Sequence, residues 1–134
     1  MPAQGQHGGV PQLARADRLD AVLRRDGATC VWCGRPFTGL VLPTTEHVVP
    51  RLKGGPSWLE NEVAACRRCN AGRGHRSPVE WLEECRRRGW APDEERLARA
   101  LGALAEAIAR EGGQRRARPY LAGQLRRMRG RTGR

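Results

Sequence analysis

The pattern of apolar positions becomes regular shortly after the N-terminus. Leu19, Val22 and Leu23 recur at helical spacing, so they predict a helix over 13–25 with one apolar face. Residues 1–12 contain glycine and proline and have little to bury, and we expect them to form a disordered lead.

Two further helices are predicted in the second half of the chain. The stretch 77–80 reads Ser-Pro-Val-Glu, in which the serine can cap a helix, the proline suits its first position and the glutamate can close a capping box. The apolar face of this helix continues through Trp81, Leu82 and Cys85, so Cys85 is predicted to be a small core residue. A longer helix over 93–110 has apolar residues at spacings of four, three and four: Leu97, Leu101, Leu104 and Ile108.

Between these helices the pattern is typical of two short strands. β-branched residues dominate 44–49, and Pro50 ends that predicted strand. Glycine, proline and serine make 51–60 a loop, with Trp58 as its apolar anchor. A second strand is predicted at 62–65. The core is expected to begin just upstream of the first strand, with Phe37, Leu40, Val41 and Leu42.

The charge balance indicates a polyanionic partner. The chain has 134 residues and a formal net charge of +11, and its pI is about 11.2. Nucleic acid is the favoured partner, and an acidic membrane surface is the weaker interpretation. Lys53 is the only lysine, so an arginine-biased genome is an alternative source of the charge. Aromatic residues make up only 4% of a chain of one-domain length, so a staple is expected to support the core.

The composition also bears on the compartment. No stretch approaches the ~20 apolar residues that a membrane span requires, and residues 1–15 lack the apolar centre of a signal peptide. We therefore expect a cytoplasmic protein with no membrane partner. Thiols stay reduced in the cytoplasm, which favours metal binding over disulfides for paired cysteines.

Four of the five cysteines form the pairs Cys30-x-x-Cys33 and Cys66-x-x-Cys69. Two such pairs predict a closed tetrahedral site of four thiolates, which has no open position for water and is typical of structural zinc. A redox pair or a disulfide is the alternative interpretation.

A second group of reactive side chains lies between the two cysteine pairs. In the dipeptide Glu46-His47, a neutral imidazole can accept a proton from water, and a carboxylate is a hard oxygen ligand for Mg²⁺ or Mn²⁺. Asn70 starts a predicted short helix after the second cysteine pair, and its amide oxygen offers a second ligand. His75 is expected to be a surface or phosphate-contacting residue, because Gly74 keeps that helix short. A Glu-His pair on its own usually lies on the surface without a function. Whether this pair forms a site depends on the neighbouring cysteine pairs.

Residues 25–34, 46–51 and 58–70, together with Gly54-Gly55, carry a combined pattern that resembles an HNH endonuclease of the type with two zinc knuckles. The resemblance covers about 24–82. It implies a small α+β fold, in which a ββα-metal, treble-clef-like core is stapled by the four-cysteine zinc site and has flanking helices.

The resemblance assigns a role to each motif residue. His47 corresponds to the general base, and Asn61 to the asparagine that holds the inter-strand loop and so orients the histidine. Glu46 and Asn70 correspond to the ligands of a catalytic Mg²⁺ or Mn²⁺, although the family usually has aspartate at the first of these positions. The implied activity is metal-dependent hydrolysis of DNA phosphodiester bonds, by nicking or by double-strand cleavage.

Together with the apolar pattern and the composition, this divides the chain into an HNH nuclease domain with flanking helices at 13–90, an additional helix at 91–113 and an arginine-rich tail at 114–134. The tail has no acidic residue, and its apolar positions give one weak helical face. DNA contacts are expected from the basic residues of the motif and the tail: Arg51, Lys53, Arg73, Arg115, Arg116, Arg126 and Arg127.

Two other functions compete with the nuclease. One is a non-catalytic zinc-knuckle DNA-binding module, and the weaker one is an RNA-binding or RNA-cleaving protein. The joint presence of Glu46, His47, Asn61 and Asn70 favours the enzyme, because a pure binding module requires none of them.

Overall fold

The computed structural model describes residues 13–132, so the predicted lead at 1–12 lies outside the described residues. Within that range the chain forms a two-stranded sheet and five helices, as a small α+β fold. In chain order the elements are α1 (Arg15–Asp26), β1 (Pro43–His47), β2 (Glu62–Cys66), α2 (Arg67–Arg73), α3 (Pro78–Arg87), α4 (Glu94–Glu111) and α5 (Ala117–Thr132).

The sheet brings the two halves of the motif side by side. β1 and β2 are antiparallel, and Glu46 pairs with Val63 while His47 pairs with Glu62. Each residue of β2 is buried, and both α1 and α2 contact the two strands. The chain between the strands makes two short 3-10 turns, Arg51–Lys53 and Leu59–Asn61.

β1 ends two residues earlier than the sequence predicts. The backbone N–H of Val48 donates to the carbonyl of Asn61, and both backbone groups of Val49 bond to the Asn61 side chain instead of to β2. His47 is therefore the last residue of the strand, at the point where the chain enters the loop.

The helices with strong local signals form where the sequence predicts them. α3 has the predicted capping box, with Ser77 and Glu80 each bonded to the backbone of the other. In α4, Asp93 caps the first turn, and the apolar positions 97, 101, 104 and 108 are all buried. No helix within 13–132 is long and apolar enough to cross a membrane.

The arginine-rich segment after Gly113 forms α5, which packs against α3 and α4. Its buried face consists of Ala117, Leu121, Gln124 and Met128. The side-chain oxygen of Gln124 accepts a hydrogen bond of 2.9 Å from the backbone N–H of Val79, in the first turn of α3. Residues 117–132 are thus part of the folded unit.

The prediction that Leu40 and Leu42 begin the core is wrong, since they are 97% and 45% exposed. For Leu40 the turn at 38–41 is the cause, because Thr38 and Val41 exchange backbone hydrogen bonds and the segment between them faces solvent. Phe37 and Val41 do pack partly against the core.

Trp58 and Cys85 are buried, as predicted.

Candidate functional site

The four paired cysteines form one buried cluster. Cys30 and Cys33 lie on a turn after α1, Cys66 is the last residue of β2, and Cys69 follows in α2. Their sulfur atoms all lie within 4.8 Å of one another, and those of Cys33 and Cys66 are 4.0 Å apart. Four sulfurs bound tetrahedrally at ~2.3 Å from one ion would be about 3.8 Å apart. The cluster could therefore hold one metal ion, and its convergence on one point favours metal binding over two separate disulfides.

Hydrogen-bond donors surround these sulfurs. Arg35 donates from Nε to Cys33 Sγ at 3.4 Å and from Nη2 to Cys66 Sγ at 3.2 Å. The backbone N–H of Cys66 donates to Cys30 Sγ at 3.2 Å. The hydrogen bond that Cys30 and Cys69 share lowers the pKa of the Cys30 thiol and raises that of the Cys69 thiol. The pair therefore favours thiolate, the form of cysteine that binds metal, at Cys30. Arg35 was not among the residues that the sequence singled out.

Glu46 lies at the centre of a buried polar cluster behind β1. Its Oε2 accepts hydrogen bonds from Trp32 Nε1 at 2.8 Å and from Arg73 Nη1 at 2.5 Å. Its Oε1 is also buried but has no hydrogen-bond partner among the described residues. Burial raises the pKa of Glu46, and the Arg73 ion pair opposes that shift. Oε2 of Glu46 is thus hydrogen-bonded within the protein, whereas Oε1 is available to a further partner.

Arg73 joins α2 to the end of β1. Besides Glu46, its guanidinium donates to the carbonyls of His47 at 2.8 Å and Val48 at 2.7 Å. The residue is 2% exposed, and its Nε is bonded to the carbonyl of Arg76. The predicted phosphate contact of Arg73 therefore cannot form in this arrangement. A buried arginine is uncommon without a paired carboxylate, and the sequence did not indicate that Glu46 would be its partner.

His47 is half-buried at the edge of the loop. Its Nε2 lies 3.2 Å from the hydroxyl oxygen of Ser57, which is exposed. Burial lowers the pKa of His47, and four guanidinium groups lower it further, namely those of Arg51, Arg18, Arg73 and Arg15. The imidazole consequently remains neutral at a lower pH than a free histidine does.

Asn61 fastens the loop that follows His47. Its side-chain Oδ1 accepts from the N–H of Val49 at 2.9 Å, and its Nδ2 donates to the carbonyls of Val49 at 3.0 Å and Pro56 at 2.9 Å. The residue is fully buried. Gly55 lies so close that a Cβ there would be 1.8 Å from the carbonyl oxygen of Val49. No side chain can replace glycine at this position without moving the loop.

Asn70 lies on the exposed side of α2. Asn70 and Arg73 are three residues apart in α2, but Asn70 is exposed whereas Arg73 and Glu46 are buried. No side-chain hydrogen bond within 13–132 joins Asn70 to Glu46, so the structure does not bring these two predicted ligands into contact. α2 begins at Arg67, earlier than the predicted start at Asn70. His75 lies beyond the end of this helix and is exposed, as the sequence predicts.

The other predicted DNA-contacting residues are exposed, but two of them already have partners. Arg116 donates to the carbonyl of Leu52 at 2.5 Å, which joins the start of α5 to the 3-10 turn after His47. Arg127 lies 3.6 Å from the carboxylate of Glu83. The remaining four predicted DNA-contacting residues are Arg51, Lys53, Arg115 and Arg126.

Sequence reasoning missed the basic residues of α1. Arg18 donates from Nε to both carboxylate oxygens of Glu62, at 2.8 and 3.0 Å, and Glu62 is the cross-strand partner of His47. Arg15, one turn earlier, is exposed and also acts on the pKa of His47. Only the three-dimensional packing of α1 on the sheet brings these residues to the site.

The segment that contains the cysteine cluster, Glu46, His47, Asn61 and Asn70 matches a known family. The sequence model of a family described as HNH endonuclease matches residues 30–84. The predicted resemblance to HNH endonucleases is therefore confirmed for this segment.

Two larger proteins are similar to parts of this chain. The chain is 34% identical over 76 residues to the CRISPR-associated endonuclease Cas9 of Corynebacterium diphtheriae, a match that covers 56% of this chain and 7% of the relative. The crystal structure of the Type II-C Cas9 enzyme from Actinomyces naeslundii aligns with a TM-score of 0.49 at 24% identity, over 77% of this chain and 12% of that one. The chain thus spans only a small part of either protein.

Proposed function

We propose that this chain is a metal-dependent HNH endonuclease that hydrolyses phosphodiester bonds in DNA, with His47 as the general base. The observation that carries the proposal is the position of His47 within the matched segment. It lies at the end of β1, half-buried, with a lowered pKa and with arginines around it. A neutral imidazole is the form that takes a proton from water, and cations around it attract the phosphates of a substrate.

The reaction proposed for His47 is hydrolysis of one phosphodiester bond by a water molecule. The imidazole takes a proton from a water molecule, and the water oxygen attacks the phosphorus atom. The bond from phosphorus to the 3′ oxygen breaks, and that oxygen takes a proton from solvent water, so the products carry a 5′-phosphate and a 3′-hydroxyl. Arg73 and Asn61 hold His47 and the two residues after it through hydrogen bonds to the backbone of 47, 48 and 49.

Glu46 and Asn70 are proposed to hold the catalytic divalent ion. The unpartnered Oε1 of Glu46 fits this role, because a buried carboxylate oxygen without a donor or cation is otherwise costly. Carboxylate and amide oxygens suit Mg²⁺ or Mn²⁺ better than softer ions. Such an ion, when bound, neutralises charge on the phosphate and on the departing oxygen.

The cysteine cluster is proposed to hold a structural zinc ion. It joins the turn after α1 to the junction of β2 and α2, so the ion would connect the helix that bears Asn70 to the rest of the core. Since zinc binding is coupled to folding in small domains, the ion would contribute directly to stability.

DNA is the proposed partner, and an unmodified plasmid is the most direct substrate with which to test the proposal. Zinc-loaded protein is incubated with supercoiled plasmid without added metal and with Mg²⁺, Mn²⁺ or additional Zn²⁺. We expect nicked or linear product with Mg²⁺ and Mn²⁺ and little with Zn²⁺. Magnesium is omitted rather than chelated, because EDTA could also remove the structural ion.

The competing function, a non-catalytic DNA-binding module, predicts a different outcome in the same experiment. The plasmid would be retarded in a gel but would remain supercoiled with every metal. A parallel incubation with single-stranded RNA tests the third possibility, since preferential cleavage of RNA would contradict DNA as the substrate.

A further inference from the structure

The hydroxyl of Ser57 lies against the imidazole of His47. Its oxygen is 3.2 Å from Nε2, which is within hydrogen-bonding distance. The other ring nitrogen, Nδ1, has no hydrogen-bond partner in the part of the chain that the structure describes. The two nitrogens of His47 therefore have different surroundings.

The loop returns Ser57 to this position through contacts that the hydroxyl itself does not make. The buried amide of Asn61 bonds to Val49, two residues after His47, and to Pro56, the residue before Ser57. Gly55 closes the same loop by packing directly on the carbonyl of Val49. One side chain and one glycine thus fix the distance between the histidine and the serine.

We propose that Ser57 is a positioning residue that accepts a hydrogen bond from Nε2–H of His47 and so leaves Nδ1 as the nitrogen that takes the proton from water. In a neutral imidazole one nitrogen carries the hydrogen and the other accepts, and the partner of the first determines which is which. This inference rests on the proposed role of His47 as general base. It also explains how Asn61, which does not contact the imidazole, acts on it.

The direction of the hydrogen bond follows from the reaction. Once His47 has taken a proton, both ring nitrogens carry hydrogen, and only a hydroxyl that accepts can remain bonded to Nε2. A hydroxyl that donated to Nε2 would occupy the lone pair there, and it would have to rotate when the ring becomes charged. An accepting Ser57 keeps the same contact in both charge states, which holds the ring still during proton transfer.

The test compares wild type, Ser57→Ala and Ser57→Thr in the zinc-loaded full chain. Ring-nitrogen chemical shifts of His47 are measured by NMR at a pH where the ring is neutral, without DNA or magnesium, and report the tautomer. We expect the Nε2–H tautomer in wild type, a mixture of tautomers in Ser57→Ala, and recovery in Ser57→Thr.

Cleavage of plasmid gives the second readout. Ser57→Ala should lower kcat by about tenfold, with little change in KM, and Ser57→Thr should recover most of the rate. An Nδ1–H tautomer in wild type would overturn the inference, as would a Ser57→Ala variant with an unchanged tautomer and an unchanged kcat. If wild type cleaves no nucleic acid, the proposed function fails, but the tautomer measurement still decides whether Ser57 orients His47.

Discussion

At the scale of single residues, the proposed mechanism depends on the charge state of His47. Its pKa is lowered first by burial and then by nearby guanidinium groups, of which that of Arg51 has the largest effect. A general base must be neutral to act, so a lowered pKa extends activity to more acidic pH. The acid limb of the pH–rate profile should consequently lie below the unperturbed value of ~6.5.

Replacing Arg51 by glutamine should raise the pKa of His47, because one of the positive charges that disfavour the imidazolium is removed. The pKa is measured by NMR titration of the ring, which is independent of any effect on DNA binding. Arg127→Gln is the matched control, since it also removes one positive charge but from a side chain next to Glu83. A pKa that falls or does not move in Arg51→Gln would contradict the electrostatic account.

Sequence reasoning named some residues of the candidate site and missed others for a physical reason. His47, Glu46, Asn61 and Asn70 belong to a dense local motif, so they could be named in advance. Their partners Arg73, Arg18 and Ser57 were misassigned or missed, because each of them acts through a contact that only tertiary packing creates. An isolated arginine in a basic sequence indicates a surface residue, and nothing local marks Arg73 as buried.

At the scale of elements, Arg73 is the main polar connection between α2 and β1. Arg73→Met should lower the free energy of unfolding by about 3–5 kcal/mol, since it leaves the buried carboxylate of Glu46 without its cation. Adding Glu46→Gln to that variant should recover part of the loss, because no buried charge then remains. Chemical denaturation provides the measurement.

The control for this experiment is Arg67→Met, which removes an exposed arginine from the same helix and should change stability by no more than about 0.5 kcal/mol. An Arg73→Met variant that is as stable as the control would show that the buried ion pair does not hold the two elements together.

The cysteine cluster joins the turn after α1 to the junction of β2 and α2. Cys66→Ser should abolish zinc binding and cooperative folding together, because metal binding and folding are coupled. Cys85→Ala serves as the control, since Cys85 is buried outside the cluster and its replacement should leave the zinc content unchanged. Zinc content and circular dichroism are measured on the same samples. A Cys66→Ser protein without zinc but with a native spectrum would count against a structural ion.

At the scale of the whole molecule, the arginine-rich segment after Gly113 has two roles, packing on the helices and supplying positive charge. Composition indicated a basic tail, yet the segment forms α5, whose face of Ala117, Leu121, Gln124 and Met128 is buried. This face is only weakly visible in the sequence, because arginines dominate the segment and a polar residue, Gln124, occupies one buried position. Deleting everything after Gly113 would therefore remove packing as well as charge.

Single charge substitutions separate the two roles. Arg115→Gln and Arg126→Gln should each weaken DNA binding. If each arginine binds one phosphate, each substitution should reduce the slope of log K against log salt by about 0.9. Arg127→Gln should change the slope less, because Glu83 already lies beside that guanidinium. Binding is measured over a salt series without magnesium. Equal slopes in all three variants and wild type would show that α5 does not contact DNA.

The proposed role of His47 as the base in a DNA-cleaving site is tested by comparing two histidine variants. Single-turnover cleavage of supercoiled plasmid in Mg²⁺ is measured for wild type, His47→Ala and His75→Ala, after equal zinc content and equal plasmid affinity have been verified. We expect His75→Ala to cleave like wild type, since His75 is exposed beyond the end of α2. His47→Ala should be slower by about 100-fold or more. A His47→Ala rate within tenfold of wild type would contradict the assignment of His47 as the general base.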